Sequence, residues 1–361
     1  MNNEKELSTV NDDIYKYILE ADDYVKSITA NAADITKDAA ELYKNNKIEQ
    51  IYLLGAGTSL HAHISSKLFM EKMLKIPIYC EDAMLFNSYT TIYNKNTLVI
   101  TSSHGGRSRS SIDALIKARE SGCKTISSTA VLDSEITKYS DKILYCKIGE
   151  EYAGPKTKGY ICAIVTNMVL SLEIANPINK QEYLDRILKT SANIKYIAEE
   201  TKKWYAKHKD ELLKSRRLVL IGYAQNIGNY MEGTLKLLES VRYSVTGYEL
   251  ENFMHGIYHS IWKDDYMFYL GSKGKYYENM LKMKKYFDEE RRNHNFIFTG
   301  DKTQDDGKNF IANFIDDEDF CCLEYIVPIY VLVYLLSTDL GINASIPSDP
   351  DFHRKMGSYK F

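Results

Sequence analysis

One pattern of strand, glycine turn and helix occurs twice in this chain, and the repetition bounds what it can fold into. "IEQIYLLGAGTSLHAHISSKLFMEKM", starting at residue 48, and "RRLVLIGYAQNIGNYMEGTLKLLESV", starting at residue 216, align at Gly55 and Gly222, an offset of 167 residues. Each copy continues as short apolar runs separated by helical spacing. In the first half the predicted strands lie near 77–80, 97–103, 124–129 and 142–146; in the second, near 243–246, 266–272 and 296–300. Strands alternating with helices predict parallel sheets covered on both faces. The expected fold class is therefore α/β, with two doubly wound parallel-sheet domains in tandem.

The predicted organisation is a helical N-terminal segment at 1–47, a first α/β domain at 48–178, a charged helical connector at 179–215, a second α/β domain at 216–345 and a tail at 346–361. At 361 residues the chain is long enough for two cores, and 44% hydrophobic with 26% charged residues is ordinary globular usage. A net charge of −3 lacks the basic stripe of a nucleic-acid binder. The run "YIVPIYVLVYLL" at 325–336 is shorter than the roughly 20 residues of a membrane span and contains Pro328, so it predicts a buried helix and no membrane association. Six cysteines show no zinc spacing, and with no leader at "MNNEKELSTV" the expected setting is a reducing cytoplasm with free thiols.

In open parallel sheets ligands bind beyond the carboxyl ends of the strands, where helix N-termini point backbone N–H groups outward. Two turns of the first half meet that description. "GAGTS" places Gly57, Thr58 and Ser59 between a strand and a helix, and "SSHGGRSRSS" does the same for Ser103, His104, Gly105, Arg107 and Ser108, with Arg109 following. Each alone could be an N-cap or tight turn. Together, one carrying arginines, they predict a pocket for a small phosphorylated molecule. "GPKTKG" at 154–159 adds Thr157 at the head of an apolar helix, flanked by Lys156 and Lys158.

These residues resemble the sugar isomerase (SIS) family, nearest to the double-SIS isomerase domain of glucosamine-6-phosphate synthase and its stand-alone relatives. The family's C-G-T-S turn is matched by "AGTS", so Gly57, Thr58 and Ser59 inherit sugar-phosphate contact; its S-Q-S-G-E-T loop is matched loosely by "SHGGRS". There Gly105 replaces a serine and Arg107 a glutamate, and Arg107 could meet a substrate carboxylate. The family's A-L-K-L-K-E helix, with a histidine sixteen residues on, is matched by "GTLKLLE" and "FMHG", which assigns catalysis to Glu239 and His255 and a supporting charge to Lys236. The final lysine of P-R-N-L-A-K falls on Lys355, in a tail that would close over the site.

The resemblance implies ring opening by His255, proton transfer at carbon by Glu239, and charge stabilisation by Lys236 and Lys355. A partly apolar setting in "LKLLESV" is expected to raise the Glu239 pKa. No cofactor or metal is required, and His61, His63, His259 and His294 are expected to be packing or surface residues. A homodimer is implied, with the histidine reaching the partner's site. Without a glutaminase segment ahead of the first domain, the expected activity is a deglycase acting on fructosyl- or glucosyl-amino acid 6-phosphates. The alternatives are an aldose-ketose isomerase, an amino-sugar phosphate deaminase, or a non-catalytic sugar-phosphate sensor.

Overall fold

The structure, a computed structural model, describes residues 2–91, 93–149 and 151–360, and side chains from Asn11 onward. The chain forms two compact units. One gathers Asp23–Glu151, Lys158–Asp185 and the chain from Pro347 onward; the other gathers the chain up to Asp22, Tyr152–Thr157 and Arg186–Ile346.

Helices α1 (Asn2–Ala30) and α2 (Ala32–Lys44) lead into a sheet of five parallel strands: β1 (Gln50–Gly55), β2 (Ile78–Asp82), β3 (Thr97–Ser102), β4 (Lys124–Thr129) and β5 (Lys142–Tyr145). Their order is β2-β1-β3-β4-β5. The strands are connected by α3 (Thr58–Leu74), α4 (Ala83–Ser88) and α5 (Arg109–Glu120), and followed by α6 (Lys158–Ala175). Successive strand side chains point to opposite faces, and this sheet uses both. Ile51, Leu53, Leu98, Ile100, Ile126 and Leu144 pack with Ala39 of α2, Met70 of α3 and Leu170 of α6. Tyr52, Leu54 and Val99 pack on the other side with Phe86 of α4 and Ala114 and Ala118 of α5. Strands buried on both faces read as continuous apolar runs, which is why these were legible.

The connector forms α7 (Lys180–Ala192) and α8 (Ile194–Leu212). Arg186 of α7 donates to both oxygens of Asp317 at 2.8 Å and to Asp319 at 2.9 Å. The second sheet comprises β6 (Arg217–Gly222), β7 (Ser244–Glu249), β8 (Tyr266–Leu270), β9 (His294–Thr299) and β10 (Phe310–Ile311), with α9 (Asn226–Val241), α10 (Leu250–Met254) and α11 (Tyr277–Tyr286) between them. Then come α12 (Cys322–Tyr325), α13 (Val327–Asp339) and, in the tail, α14 (Phe352–Lys355). The second order, β10-β9-β8-β6-β7, is again all parallel. Numbered within its own half, each sheet reads 2-1-3-4-5. Among the strands of the described residues, the two-residue β10 had no sequence signal.

The apolar run containing Pro328 is α13, with the proline in its first turn where the missing N–H costs nothing. Residues 158–175 and 322–339 have the length and hydropathy of a membrane span, but 83% and 78% of them are buried within the protein, which makes them core helices. All six cysteines are unpaired.

His63 of α3 is 1% exposed, with Nδ1 3.1 Å from Asn167 Nδ2 on α6. Burial pushes the His63 pKa down to about 4, opposed in part by a hydrogen bond to the Leu54 backbone. Because the folded pKa lies below the unfolded value near 6.5, this stability is lost as pH falls through that interval. The loss amounts to about 2 kcal/mol between pH 7 and pH 5. Buried Glu324 works oppositely: its carboxyl is pushed up to about 7 by burial, so its stability is lost as pH rises from about 4.5 through 7. Urea midpoints at the two pH values for the native chain and His63→Gln isolate the histidine, because Glu324 acts equally in both. Equal pH dependence in the two proteins would refute a neutral buried imidazole.

Candidate functional site

In the first sheet α3 packs on one face and α5 on the other. The chain therefore leaves the adjacent strands β1 and β3 in opposite directions, and the crevice at that switch point is where a doubly wound sheet binds ligands. Both predicted turns lie there. Gly57, at φ +54°, caps α3 without any side chain, and Thr58 and Ser59 form the first turn of the helix. After β3, Ser103 is 7% exposed; its hydroxyl accepts from Ser108 N at 3.4 Å and its carbonyl from Gly106 N at 3.0 Å. The His104 carbonyl accepts from Ala130 N and the Thr129 hydroxyl. The loop is thus tied to the end of β4. Gly105 faces open space: a Cβ there meets no atom within 4 Å, so the missing serine side chain would be accommodated.

Two further features lie around this loop. The tail pairs with it as a short antiparallel bridge, Ser108 opposite Tyr359, with Arg109 N donating to Ser358 O and Lys360 N to Arg107 O, both at 3.0 Å. The Arg107 side chain is exposed. Lys355, further back in the tail, is exposed and pairs with Asp349 at 2.8 Å. The second feature is Glu151, 6% exposed, whose two oxygens accept from Lys158 N and Gly159 N at 3.0 Å each. An internal carboxylate thus caps the head of α6, which is the favoured place for a negative charge. Thr157, one residue ahead of that helix, is fully buried. Gly159 admits the His104 ring, since a Cβ there would lie 3.0 Å from His104 Cε1 and 3.1 Å from Glu151 Oε2.

In the second unit the predicted residues Lys236 and Glu239 lie on α9. Its buried face is a polar stripe, Asn226, Asn229, Glu232, Lys236 and Ser240, at intervals of three and four residues. Lys236 Nζ lies 3.1 and 3.3 Å from the two oxygens of Glu239 and 3.8 Å from Glu232 Oε1. Lys236 and Glu232 are 4% and 0% exposed, whereas Glu239 is 38% exposed. The apolar surroundings expected for Glu239 are therefore absent: its carboxylate opens to solvent and rests on an ammonium, because its helical position turns it away from the packed face. Glu232 was passed over, although it stands four and seven residues ahead of the lysine and glutamate and so shares their face.

His255 follows α10 on a turn closed by Gly256 at φ +103°. Its ring is 74% exposed, with Nε2 3.1 Å from Glu251 Oε1. Within the unit, Glu239 has Lys236 and His255 has Glu251. Among the described residues no group of three or more His, Cys, Asp or Glu is arranged for a metal ion.

A family model for the SIS domain matches residues 42–175, which span the first sheet. A solved protein from Clostridium difficile 630, described as a candidate phosphosugar isomerase, is 31% identical at a TM-score of 0.89, over 96% of this chain and 99% of that one. The chain belongs to the SIS family. A second solved structure, a candidate sugar binding protein from Salmonella typhimurium LT2, is 26% identical at a TM-score of 0.80, over 90% of this chain and 99% of that one. By sequence, the glutamine–fructose-6-phosphate aminotransferase of Clostridium tetani is 30% identical over 231 residues, 62% of this chain and 38% of that enzyme. This SIS chain spans less than half the length of the curated relatives it matches.

Proposed function

We propose that this chain is a phosphosugar-processing enzyme, a deglycase that splits fructosyl- or glucosyl-amino acid 6-phosphates into hexose 6-phosphate and free amine. The observation that carries the reading is the pairing of Glu239 with the buried Lys236 at 3.1 Å in a member of the SIS family. A sensor needs no proton carrier, whereas a solvent-open carboxylate resting on a fixed ammonium suits repeated proton exchange. In this scheme Gly57, Thr58, Ser59, Ser103, His104, Gly105, Ser108 and Thr157 are assigned to the substrate and its phosphate. The exposed Arg107 greets the amino-acid carboxylate. Glu239 takes a proton from C1 of the open-chain ketose amine and the C2 side is reprotonated, which yields an imine; water adds to its carbon and the amine leaves. Lys236 and Lys355 balance the negative charge that develops on oxygen.

The two sheets are proposed as copies of one SIS unit, since their strand orders coincide. His255, which faces solvent in its own chain, is proposed to open the sugar ring in a second copy within a homodimer. A second reading, aldose-ketose isomerisation, is favoured by the description of the Clostridium difficile relative as a phosphosugar isomerase; amino-sugar phosphate deamination is a further alternative.

A panel of fructosyl-amino acid 6-phosphates, fructose 6-phosphate and glucosamine 6-phosphate, assayed for hexose 6-phosphate and free amine, separates these readings. Amine release from the fructosyl conjugates is expected. Ammonia from glucosamine 6-phosphate, or interconversion of hexose phosphates, with no amine released from the conjugates, replaces the deglycase by the deamination or the isomerisation reading, respectively.

A further inference from the structure

On α9 two carboxylates, the buried Glu232 and the solvent-open Glu239, flank one buried ammonium, and the proposed reaction uses only one of them. Glu232 is fully buried, which is costly for a carboxylate unless charge and hydrogen bonds offset it. Lys236 Nζ lies 3.8 Å from its Oε1, and the Tyr330 hydroxyl of α13 donates to the same oxygen at 3.5 Å. The helix cannot draw Glu232 away. At the next residue, Gly233, a Cβ would lie 2.8 Å from Ile329 Cδ1 and 3.0 Å from Leu220 Cδ1, so the α9 backbone is pressed onto α13 and β6.

We propose that Glu232 is a positioning residue, a fixed counter-charge that holds the Lys236 ammonium in place while Glu239 alternates between carboxylate and carboxylic acid. This rests on the proton-transfer role of Glu239 proposed above. When Glu239 takes a proton from carbon it becomes neutral, and the nearer of the two anions beside Lys236 disappears. Glu232, out of reach of solvent, stays at 3.8 Å, so the ammonium need not follow the proton or swing toward substrate. When the proton returns to the neighbouring carbon the original pair re-forms. The step moves one proton out and one back, with no other reactant.

Several described groups of this unit bear on Glu239. Its own helix supplies Glu232, Lys236 and Arg242, whose Nε donates to the Glu239 carbonyl at 3.5 Å. From α13 comes Tyr330. Glu249 of β7 is engaged in capping Asn252 N at 2.9 Å, and Glu324 of α12 accepts from Asn193 and from Ile315 N and Asp316 N.

The test is the titration of the Glu239 side-chain carboxyl, read by carbon-13 glutamate NMR on the full chain and assigned by its loss in Glu239→Gln. Removing the Glu232 charge favours the ionised form of Glu239. Glu232→Gln is therefore expected to lower the titration by about one pH unit, and to reduce kcat on a fructosyl-amino acid 6-phosphate about tenfold with KM nearly unchanged. Glu232→Asp keeps the charge but draws it back by one methylene, so it shifts the titration the same way by less and keeps the question open to test if the glutamine variant does not fold. A Glu239 titration that moves in neither variant overturns the proposal and leaves Glu232 a structural residue. Turnover that survives Glu239→Gln overturns instead the reading on which the proposal rests.

Discussion

Glu239→Gln is expected to lower turnover of the phosphosugar substrate by roughly 10³-fold, within the range supplied by a positioned acid or base, while KM changes little. The amide is isosteric and sits on a 38% exposed side chain, so packing is undisturbed. What it cannot do is accept and return a proton. The ion pair to Lys236 becomes at most a neutral hydrogen bond, and the buried ammonium keeps Glu232 as its anionic neighbour. Binding of a hexose 6-phosphate, followed by calorimetry, should persist, because the turns beyond β1 and β3 that are proposed to hold the phosphate are unchanged. A variant that retains more than about a tenth of native turnover would exclude Glu239 as the proton carrier. An equal ligand response in both proteins with no turnover in either would favour the sensor reading.

The second large effect falls on the loop after β3, where two adjacent glycines are expected to behave oppositely. Gly106 has φ +66°, and a Cβ there would lie 2.0 Å from Ser134 Oγ and 2.3 Å from Ser134 Cβ. Ser134 cannot step aside cheaply, since its hydroxyl donates to Val131 O at 2.6 Å and its carbonyl accepts from Thr137 Oγ1 at 2.8 Å. The Gly106 carbonyl in turn accepts from Ile136 N at 3.0 Å. Gly106→Ala therefore combines left-handed backbone strain with a hard clash. It should destabilise the first-sheet unit by about 2–4 kcal/mol and weaken hexose 6-phosphate binding more than tenfold. Gly105→Ala, whose Cβ meets nothing within 4 Å, should leave the denaturation midpoint within about 0.5 kcal/mol of native. Similar midpoints for the two variants would show that the loop backbone relaxes freely around Ser134.

Much of the molecule was legible because its physics is local. A strand buried on both faces must be apolar along its whole length, so "YLLG", "LVIT" and "LVLIG" announced themselves as parallel strands. The turns at Gly57 and Gly106 were marked by residues that tolerate positive φ. The spacing of Lys236 and Glu239 placed them on one helix face before any coordinates, since i and i+3 residues are neighbours there. Glu232 obeys the same rule, but an isolated glutamate in a helix is more often solvated, and nothing local says that α13 will cover it.

The sequence by itself determined two parallel-sheet halves, the positions of the glycine turns after β1 and β3 and the spacing that sets Lys236 beside Glu239 on α9. Periodicity, glycine conformation and helical spacing are short-range properties that the chain cannot hide. Tertiary structure alone decided what lies against what: Tyr330 over Glu232, Glu151 at the head of α6, the tail strand on the loop at Ser108, and His255 turned to Glu251. Those contacts join residues from separate elements, or set which rotamer a surface group adopts. Their energies depend on burial and on partners that no local pattern specifies.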